Sequence, residues 1–223
     1  MRPKYVSPFE FRPDYLSYEK QFRNEFESRK EIMDQELLDE ISKPDRTALV
    51  VWDVQNALVD GIFNKEEFLA KINELISGVR KHGIPIFFSK ITPLPERFES
   101  RPRRYIRRTR NLNFSANGLD LAIAPSPEDI VIPKNTASMF IGTNFEMMIR
   151  NTGINTLIFA GIATEMGIES SGRDAVNRGF FSIIARDAVS SFNREAHDRS
   201  LANMERILFV MNNSEILQMW NPK

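Results

Sequence analysis

Residues 156–186 read TLIFAGIATEMGIESSGRDAVNRGFFSIIAR, and this stretch decides the fold. The apolar run Thr156–Ala160 is typical of a buried strand. A glycine-containing turn follows it, then a helical pattern over Glu165–Asn177 and a second apolar run over Phe180–Arg186. A strand, a helix and a further strand in this order predict a unit in which parallel strands are joined by a crossover helix.

The same alternation extends over most of the chain. The predicted strands are Thr47–Asp53, Ile84–Ile91, Asp129–Pro133, Thr156–Ala160, Phe180–Arg186 and Ile207–Met211. The predicted helices are Lys65–Lys81, Thr143–Asn151, Glu165–Asn177 and Arg194–Glu205, and Thr143 with Glu146 has the spacing of a capping box. Because the strands are rich in Val, Ile and Phe without strict alternation, we expect an α/β fold with helices on both faces of a parallel sheet.

The first part of the chain has a different pattern. Residues 1–13 carry three prolines and predict an extended arm. Residues 14–43 contain no Gly or Pro, and their apolar side chains recur three or four positions apart, which predicts a helix that packs on the domain or on a partner subunit. Pro44 ends this helix because proline has no N–H to donate. We therefore predict an arm and helix over residues 1–45 and one domain over residues 46–223.

Composition excludes several classes of protein. The chain has 223 residues, of which 42% are hydrophobic, so one domain can bury a sizeable core. Lys plus Arg and Asp plus Glu both total 30, a balance that argues against bulk nucleic-acid binding. The absence of cysteine excludes disulfides and thiolate metal sites. No apolar run reaches the roughly 20 residues that span a bilayer, and the start lacks a signal core, so we expect a cytoplasmic protein.

Three strand ends carry candidate functional residues. Asp53 closes the first predicted strand, Lys134 follows the third, and the turn 161–167 follows the fourth. In parallel sheets, ligands bind beyond the carboxyl ends of the strands, which is where all three fall. Many α/β enzymes present a nucleophile at such a turn, at the positive end of a helix. The residue at that place is Gly167, which has no side chain.

Four segments together resemble the isochorismatase-like hydrolases. They are DVQN (53–56), PKNTASMFIGT (133–143), GIATEMGIESSGRDAVNRGF (161–180) and ARDAV (185–189). The resemblance spans about residues 47–211. It implies a three-layer sandwich around a six-stranded parallel sheet, which agrees with the independent pattern above.

The resemblance also implies roles for individual residues. Most members of the family are amidases or nicotinamidases with an Asp, Lys and Cys triad; the matching motifs place the aspartate on Asp53, the lysine on Lys134 and the cysteine on Gly167. The family has a cis peptide that would here join Ile162 to Ala163. Backbone N–H groups of Ala163 and Gly167 match the oxyanion hole of the thiol members.

Glycine at position 167 changes the expected chemistry, because acyl transfer through a thioester requires a thiolate. The true isochorismatases resemble this pattern too, and several carry glycine there; they hydrolyse an enol ether, for which a positioned acid suffices. Asp53 would be that acid, and Lys134 would orient it or hold a substrate carboxylate. Since a lysine lowers an aspartate pKa, protonation needs an apolar setting, which Trp52, Phe140 and Met166 can supply.

Two functions remain open from the sequence. The first is a hydrolase without a cysteine nucleophile that acts on a small anionic substrate such as an enol ether. The second is a catalytically inactive family member that serves as a binding or scaffold protein, because the turn is similar to the amidase version with its thiol removed. The candidate substrate-binding residues are Gln55, Phe140, Ile162, Ala163 and Thr164.

No metal or other cofactor is expected. Nicotinamidases hold a metal through an aspartate and histidines after the second strand, whereas residues 89–99 read SKITPLPERFE and contain no histidine. His82 lies at a predicted helix end, where it can cap carbonyls, and His197 lies on a helix. We therefore predict structural roles for both histidines.

An arginine-rich segment allows three interpretations. Its arginines are Arg97, Arg101, Arg103, Arg104, Arg107, Arg108 and Arg110. The segment is a solvated loop and helix or a subunit contact, an anion-binding lid over the site, or a nucleic-acid patch in which Tyr105 stacks. The neutral charge balance disfavours the last. The expected partners are a small-molecule substrate and further copies of the chain in a homo-oligomer.

Overall fold

A six-stranded parallel sheet forms the centre of the unit that begins at Glu40, in a computed structural model that describes residues 35–109 and 117–220. The strands are β1 (Thr47–Trp52), β2 (Ile86–Ile91), β3 (Ile130–Lys134), β4 (Thr156–Ile162), β5 (Phe181–Ser190) and β6 (Phe209–Met211). Their order is β3-β2-β1-β4-β5-β6, and every pairing is parallel. The predicted parallel sheet is therefore confirmed.

Helices cover both faces of the sheet. In the part of the chain that the structure describes, the helices are α1 (Gln35–Ile41), α2 (Asn56–Val59), α3 (Lys65–Lys81), α4 (Arg101–Thr109), α5 (Phe145–Asn151), α6 (Glu169–Asn177), α7 (Arg194–Met204) and α8 (Asn213–Gln218). Side chains of α5, α6 and α7 share one buried cluster with Val50 and Trp52 of β1. Leu49 and Val51, which point the other way, are equally buried, and α3 packs against the sheet and α8. This gives the three layers that the resemblance implies.

Two strands run further than predicted. β4 continues to Ile162 and β5 to Ser190, and their register shifts between Phe159 and Gly161. The predicted strand ended at Arg186. Arg186 and Asp187, both half-buried, lie in this irregular stretch. Because pairing resumes beyond it, a polar interruption in the sequence does not end the strand.

The helix predicted over Glu165–Asn177 is two elements. Thr164–Ile168 forms a π-helical turn, and the α-helix α6 begins only at Glu169. Gly167 therefore lies inside the wider turn, ahead of the α-helix. Such turns are frequent at functional sites.

The predicted capping box at Thr143 is wrong. The residue before α5 is Asn144, and Thr143 Oγ1 instead accepts the N–H of Phe145 at 3.2 Å while its hydroxyl donates to the carbonyl of Met139. A hydroxyl with a nearby carbonyl partner forms a local turn in place of a cap. A capping box does occur at α8, where Asn212 and Glu215 bond each other's backbone N–H groups.

Part of the N-terminal prediction lies outside the described residues. This applies to the arm over residues 1–13 and to the predicted helix as far as residue 34; its last part is helical over Gln35–Ile41. The sheet belongs to a compact unit that begins at Glu40. Of the helices within residues 35–109 and 117–220, none has the length and apolar character needed to cross a membrane.

The strand order reverses between β1 and β4, which are neighbours at the centre of the sheet. In open α/β sheets the ligand binds at such a reversal, beyond the carboxyl ends of the strands. Asp53 follows β1 directly, and the turn with Gly167 follows β4. The topology therefore brings two of the three predicted strand ends together.

Candidate functional site

Asp53 is fixed by its backbone and by Ser89 of β2. It has a φ of 48°, in the left-handed region that few residues other than glycine adopt. Its backbone N–H donates to Ser89 Oγ at 2.9 Å, and the Ser89 hydroxyl donates to Asp53 Oδ1 at 2.5 Å. The Gln55 N–H donates to the Asp53 carbonyl at 2.8 Å. These bonds hold one carboxylate oxygen and leave Oδ2 for another partner.

That partner is Lys134, the last residue of β3. Its Nζ donates to Asp53 Oδ2 at 2.6 Å and to the carbonyl of Thr136 at 3.2 Å. Asp53 and Lys134 are each only 4% exposed. The structure therefore joins two residues that are 81 positions apart into one buried, hydrogen-bonded ion pair.

Burial opposes both charges of this pair. Desolvation raises the pKa of Asp53, against the attraction and hydrogen bond of Lys134 and the hydrogen bond of Ser89. Desolvation likewise lowers the pKa of Lys134, against its contact with Asp53. The Arg103 guanidinium of α4 is close enough to lower the pKa of both groups. The raised pKa of Asp53 and the lowered pKa of Lys134 both favour a neutral pair, in which a proton has moved from the ammonium to the carboxylate.

The indole of Trp52 fills the space beside Gly167. A Cβ atom built on Gly167 would overlap Trp52 Nε1 and Cε2 and lie 2.8 Å from Cδ1. Trp52 is 1% exposed, and its ring centroid lies 4.1 Å from Lys134 Nζ, within the range of a cation–π interaction. The indole thus occupies the volume that a side chain at residue 167 would need, and it also contacts the Lys134 ammonium.

The turn after β4 has the implied cis peptide. The bond joins Ile162 to Ala163, and both residues are buried. Thr164 is fully buried as well: its Oγ1 lies 3.1 Å from the carbonyl oxygen of Ser190 and 2.8 Å from Nδ1 of His197. These contacts tie the turn to β5 and α7.

Gln55 and Phe140 are engaged within the protein. The Gln55 amide donates to the carbonyl of Leu119 at 2.6 Å and accepts the N–H of Ile91 at 2.9 Å. The Phe140 ring lies 5.8 Å from the ring of Phe180, nearly parallel, and is 7% exposed. Their roles, like those of Ile162, Ala163 and Thr164, as substrate ligands stay predictions.

Other side chains show what the sequence revealed and what it did not. His197 is 8% exposed and bonded to Thr164, as its predicted structural role requires. Ser89 was not predicted as part of the site, although a polar residue in the apolar strand IFFSKI is a detectable signal. Arg103 lies in a helix within the arginine-rich segment, whereas Arg110 lies outside the described residues.

Two observations concern metals and cavities. Over the two described ranges, no three His, Cys, Asp or Glu side chains converge in a way that could hold a metal ion. An apolar cavity of about 270 Å³ is lined by the first residues of β5 and β6 and the end of α6, including Phe181, Phe209 and Val176. It therefore lies at the amino ends of the strands, opposite the Asp53–Lys134 pair.

Comparison with known proteins gives one family. The isochorismatase domain family matches residues 47–215. The chain is 30% identical over 192 residues to "Ureidoacrylate amidohydrolase RutB" of Pseudomonas syringae pv. syringae (strain B728a), covering 73% of this chain and 78% of that protein. It is 30% identical over 177 residues to "Uncharacterized isochorismatase family protein YecD" of Escherichia coli O157:H7, covering 77% and 94%.

A solved structure supports the fold. The cysteine hydrolase from Pseudomonas syringae pv. phaseolicola 1448A superposes with a TM-score of 0.73 at 20% identity, over 80% of this chain and 94% of that one. The sheet order, the family match over residues 47–215 and the relatives at 30% identity agree with one another. The chain belongs to the isochorismatase family.

Proposed function

We propose that this chain is a hydrolase that acts on a small anionic molecule by proton transfer from the Asp53–Lys134 pair, without a covalent acyl intermediate. One observation carries the proposal. The buried pair, with its 2.6 Å contact, is intact, whereas the Trp52 indole takes the space beside Gly167 that a nucleophilic side chain would need. Acid–base groups remain at the site, and a thiol does not.

The relatives support the substrate class and not the reaction. The relative RutB is named for the hydrolysis of ureidoacrylate, a small carboxylate. That name also describes amide hydrolysis, which through a thioester needs a thiolate. This chain has no cysteine, so we carry over a small anionic substrate and leave the thioester route aside.

Hydrolysis of an enol ether suits an acid without a nucleophile. Desolvation favours the neutral form of the pair, in which a Lys134 proton has moved to Asp53, and Asp53 then gives that proton to the terminal carbon of the double bond. Water then adds to the neighbouring carbon that bears the ether oxygen and returns a proton to Asp53. In the resulting hemiketal the bond from carbon to the ether oxygen breaks while the hydroxyl proton is transferred to that oxygen, which leaves a ketone and an alcohol. Lys134 holds the carboxyl group in place throughout.

Replacing Asp53 tests this function directly. Screening of enol ethers, amides and esters first identifies a substrate for the wild-type protein. Asp53→Asn keeps the shape of the side chain and removes the acid, so we expect kcat to fall by about 10²–10⁴-fold. Asp60→Asn is the control, because Asp60 pairs with Lys65 at an exposed position. The enzyme proposal is wrong if the wild-type protein turns over none of these substrates at any pH.

Arg103 supplies the positive field that an anionic substrate would meet. Its side chain is exposed on α4 yet acts electrostatically on the buried pair. We expect Arg103→Ala to raise KM several-fold with less effect on kcat, and added salt to reduce the difference. Arg101→Ala, equally exposed at the start of the same helix, is the control. Equal KM values for the two variants would contradict this role.

The mutual pairing and the burial of Asp53 and Lys134 support a second candidate function. Asp53 and Lys134 satisfy each other and are almost inaccessible, as expected of an inactive binding or scaffold protein. In that case the protein would fold normally but would turn over none of the enol ethers, amides and esters screened. A homo-oligomeric state and a cytoplasmic location remain predictions under either function.

A further inference from the structure

Trp52 is the side chain that links the two unusual features of this site. On one side its indole occupies the volume that a side chain at residue 167 would enter. On the other its ring lies 4.1 Å from the Lys134 ammonium, which in turn lies 2.6 Å from Asp53. Trp52, Lys134 and Asp53 are all nine-tenths or more buried. Water is therefore excluded from the pair partly by the indole itself.

We infer that Trp52 is a positioning residue for the Asp53–Lys134 pair, and that Trp52 and Gly167 form a matched pair in which the indole requires glycine at residue 167. The indole takes the place of a nucleophilic side chain and holds the ammonium by its ring face. The chemistry of the site is thereby restricted to proton transfer. This inference deepens the proposed function, but its tests need no substrate, so either can fail without the other.

Steric coupling between residues 52 and 167 is the first consequence. Gly167 lies in a π-helical turn and has no positive φ, so alanine is acceptable to its backbone. The cost of Gly167→Ala must then come from overlap with the indole, which is buried in close-packed surroundings. A smaller side chain at residue 52 should remove that cost.

A double-mutant cycle measures the coupling by urea unfolding. In the wild-type background, Gly167→Ala should lower the urea midpoint by about 1 M. In the Trp52→Leu background, the same change should leave the midpoint unchanged or raise it. The difference between the effects of Gly167→Ala in the two backgrounds reports the contact between the two residues. Equal losses in both backgrounds would overturn the matched pair.

Fluorescence tests the positioning role even if Trp52→Leu does not fold. The chain has two tryptophans, and the indole N–H of Trp220 has no hydrogen-bond partner among the described residues, so Trp220→Phe breaks no such bond and leaves Trp52 as the reporter. In this background Lys134→Met should shift the Trp52 emission and change its dependence on pH. Lys90→Met, at a half-exposed ion pair with Asp120, should leave both unchanged.

A merely space-filling indole would behave differently. It would couple to residue 167 in the unfolding cycle but would give the same emission and the same pH titration with Lys134 or with Met at that position. Superimposable spectra of Trp220→Phe and Trp220→Phe/Lys134→Met would therefore reject the positioning role. A shift that appears with Lys90→Met as well would reject it too.

Discussion

Lys134→Met is expected to lower the free energy of unfolding by about 3–5 kcal/mol at neutral pH. The reason is that the substitution leaves Asp53 as a buried carboxylate without its ammonium partner. The carboxylate would keep its bond to Ser89 but lose the ammonium at 2.6 Å, in a place that is 4% exposed. A buried charge without a counter-charge must be neutralised or destabilise the fold. Urea unfolding of the two proteins measures the difference.

Two comparisons separate this effect from the loss of any lysine. Lys90 of β2 pairs with Asp120 at 3.3 Å, with side chains 33% and 64% exposed, so Lys90→Met should cost under about 1 kcal/mol. The double variant Asp53→Asn/Lys134→Met removes both charges and should recover much of the stability lost by Lys134→Met alone. If Lys90→Met and Lys134→Met cost the same, the pair is not energetically special.

The pH dependence of Lys134→Met follows from the sign of the Asp53 shift. Burial raises the Asp53 pKa in the folded state, and the variant removes the main opposing attraction. The folded state then binds more protons than the unfolded chain at every pH between the unfolded value near 3.9 and the raised value. Stability of the variant should therefore increase as pH falls from above the raised Asp53 pKa towards the unfolded value, and the difference from wild type should shrink.

The sequence was sufficient for much of the sheet and for the prediction that Asp53 and Lys134 lie at one edge of it. Apolar runs located all six strands, because a strand buried on both faces has a local signature. Asp53 and Lys134 were predictable because the strand ends at which they lie fall at one edge of any parallel sheet. Their 2.6 Å contact was not, since it depends on how β3 and β1 are spaced across β2.

The indole beside Gly167 was beyond sequence reasoning. Trp52 was expected to make the surroundings of Asp53 apolar, but which volume its ring fills depends on the register of β1 against β4 and on the π-helical turn. The continuation of β5 to Ser190 also rests on a register shift that no local pattern records. In each case a contact between distant segments decided the result.

Gly161→Ala is expected to cost about 4 kcal/mol or more and to lower the yield of soluble protein. Gly161 is paired with Trp52 in the β1–β4 ladder and has a φ of 127°. A Cβ atom there would overlap the Trp52 carbonyl oxygen and lie 2.7 Å from its N and 2.8 Å from its C. These are backbone atoms at the centre of the sheet, so no side-chain movement relieves the overlap. Relief would require β1 and β4 to separate where the site is built.

Gly83→Ala is the matched control for the backbone conformation alone. Gly83 also has a positive φ, 68°, but a Cβ atom there meets nothing within 4 Å. Its cost should be that of a left-handed residue, about 1–2 kcal/mol. Soluble yield and the urea midpoint of both variants, measured side by side, give the excess due to contact with β1. Equal midpoints would mean that the strands at the reversal of the sheet order can move apart, and that the place of Trp52 is not fixed by its backbone.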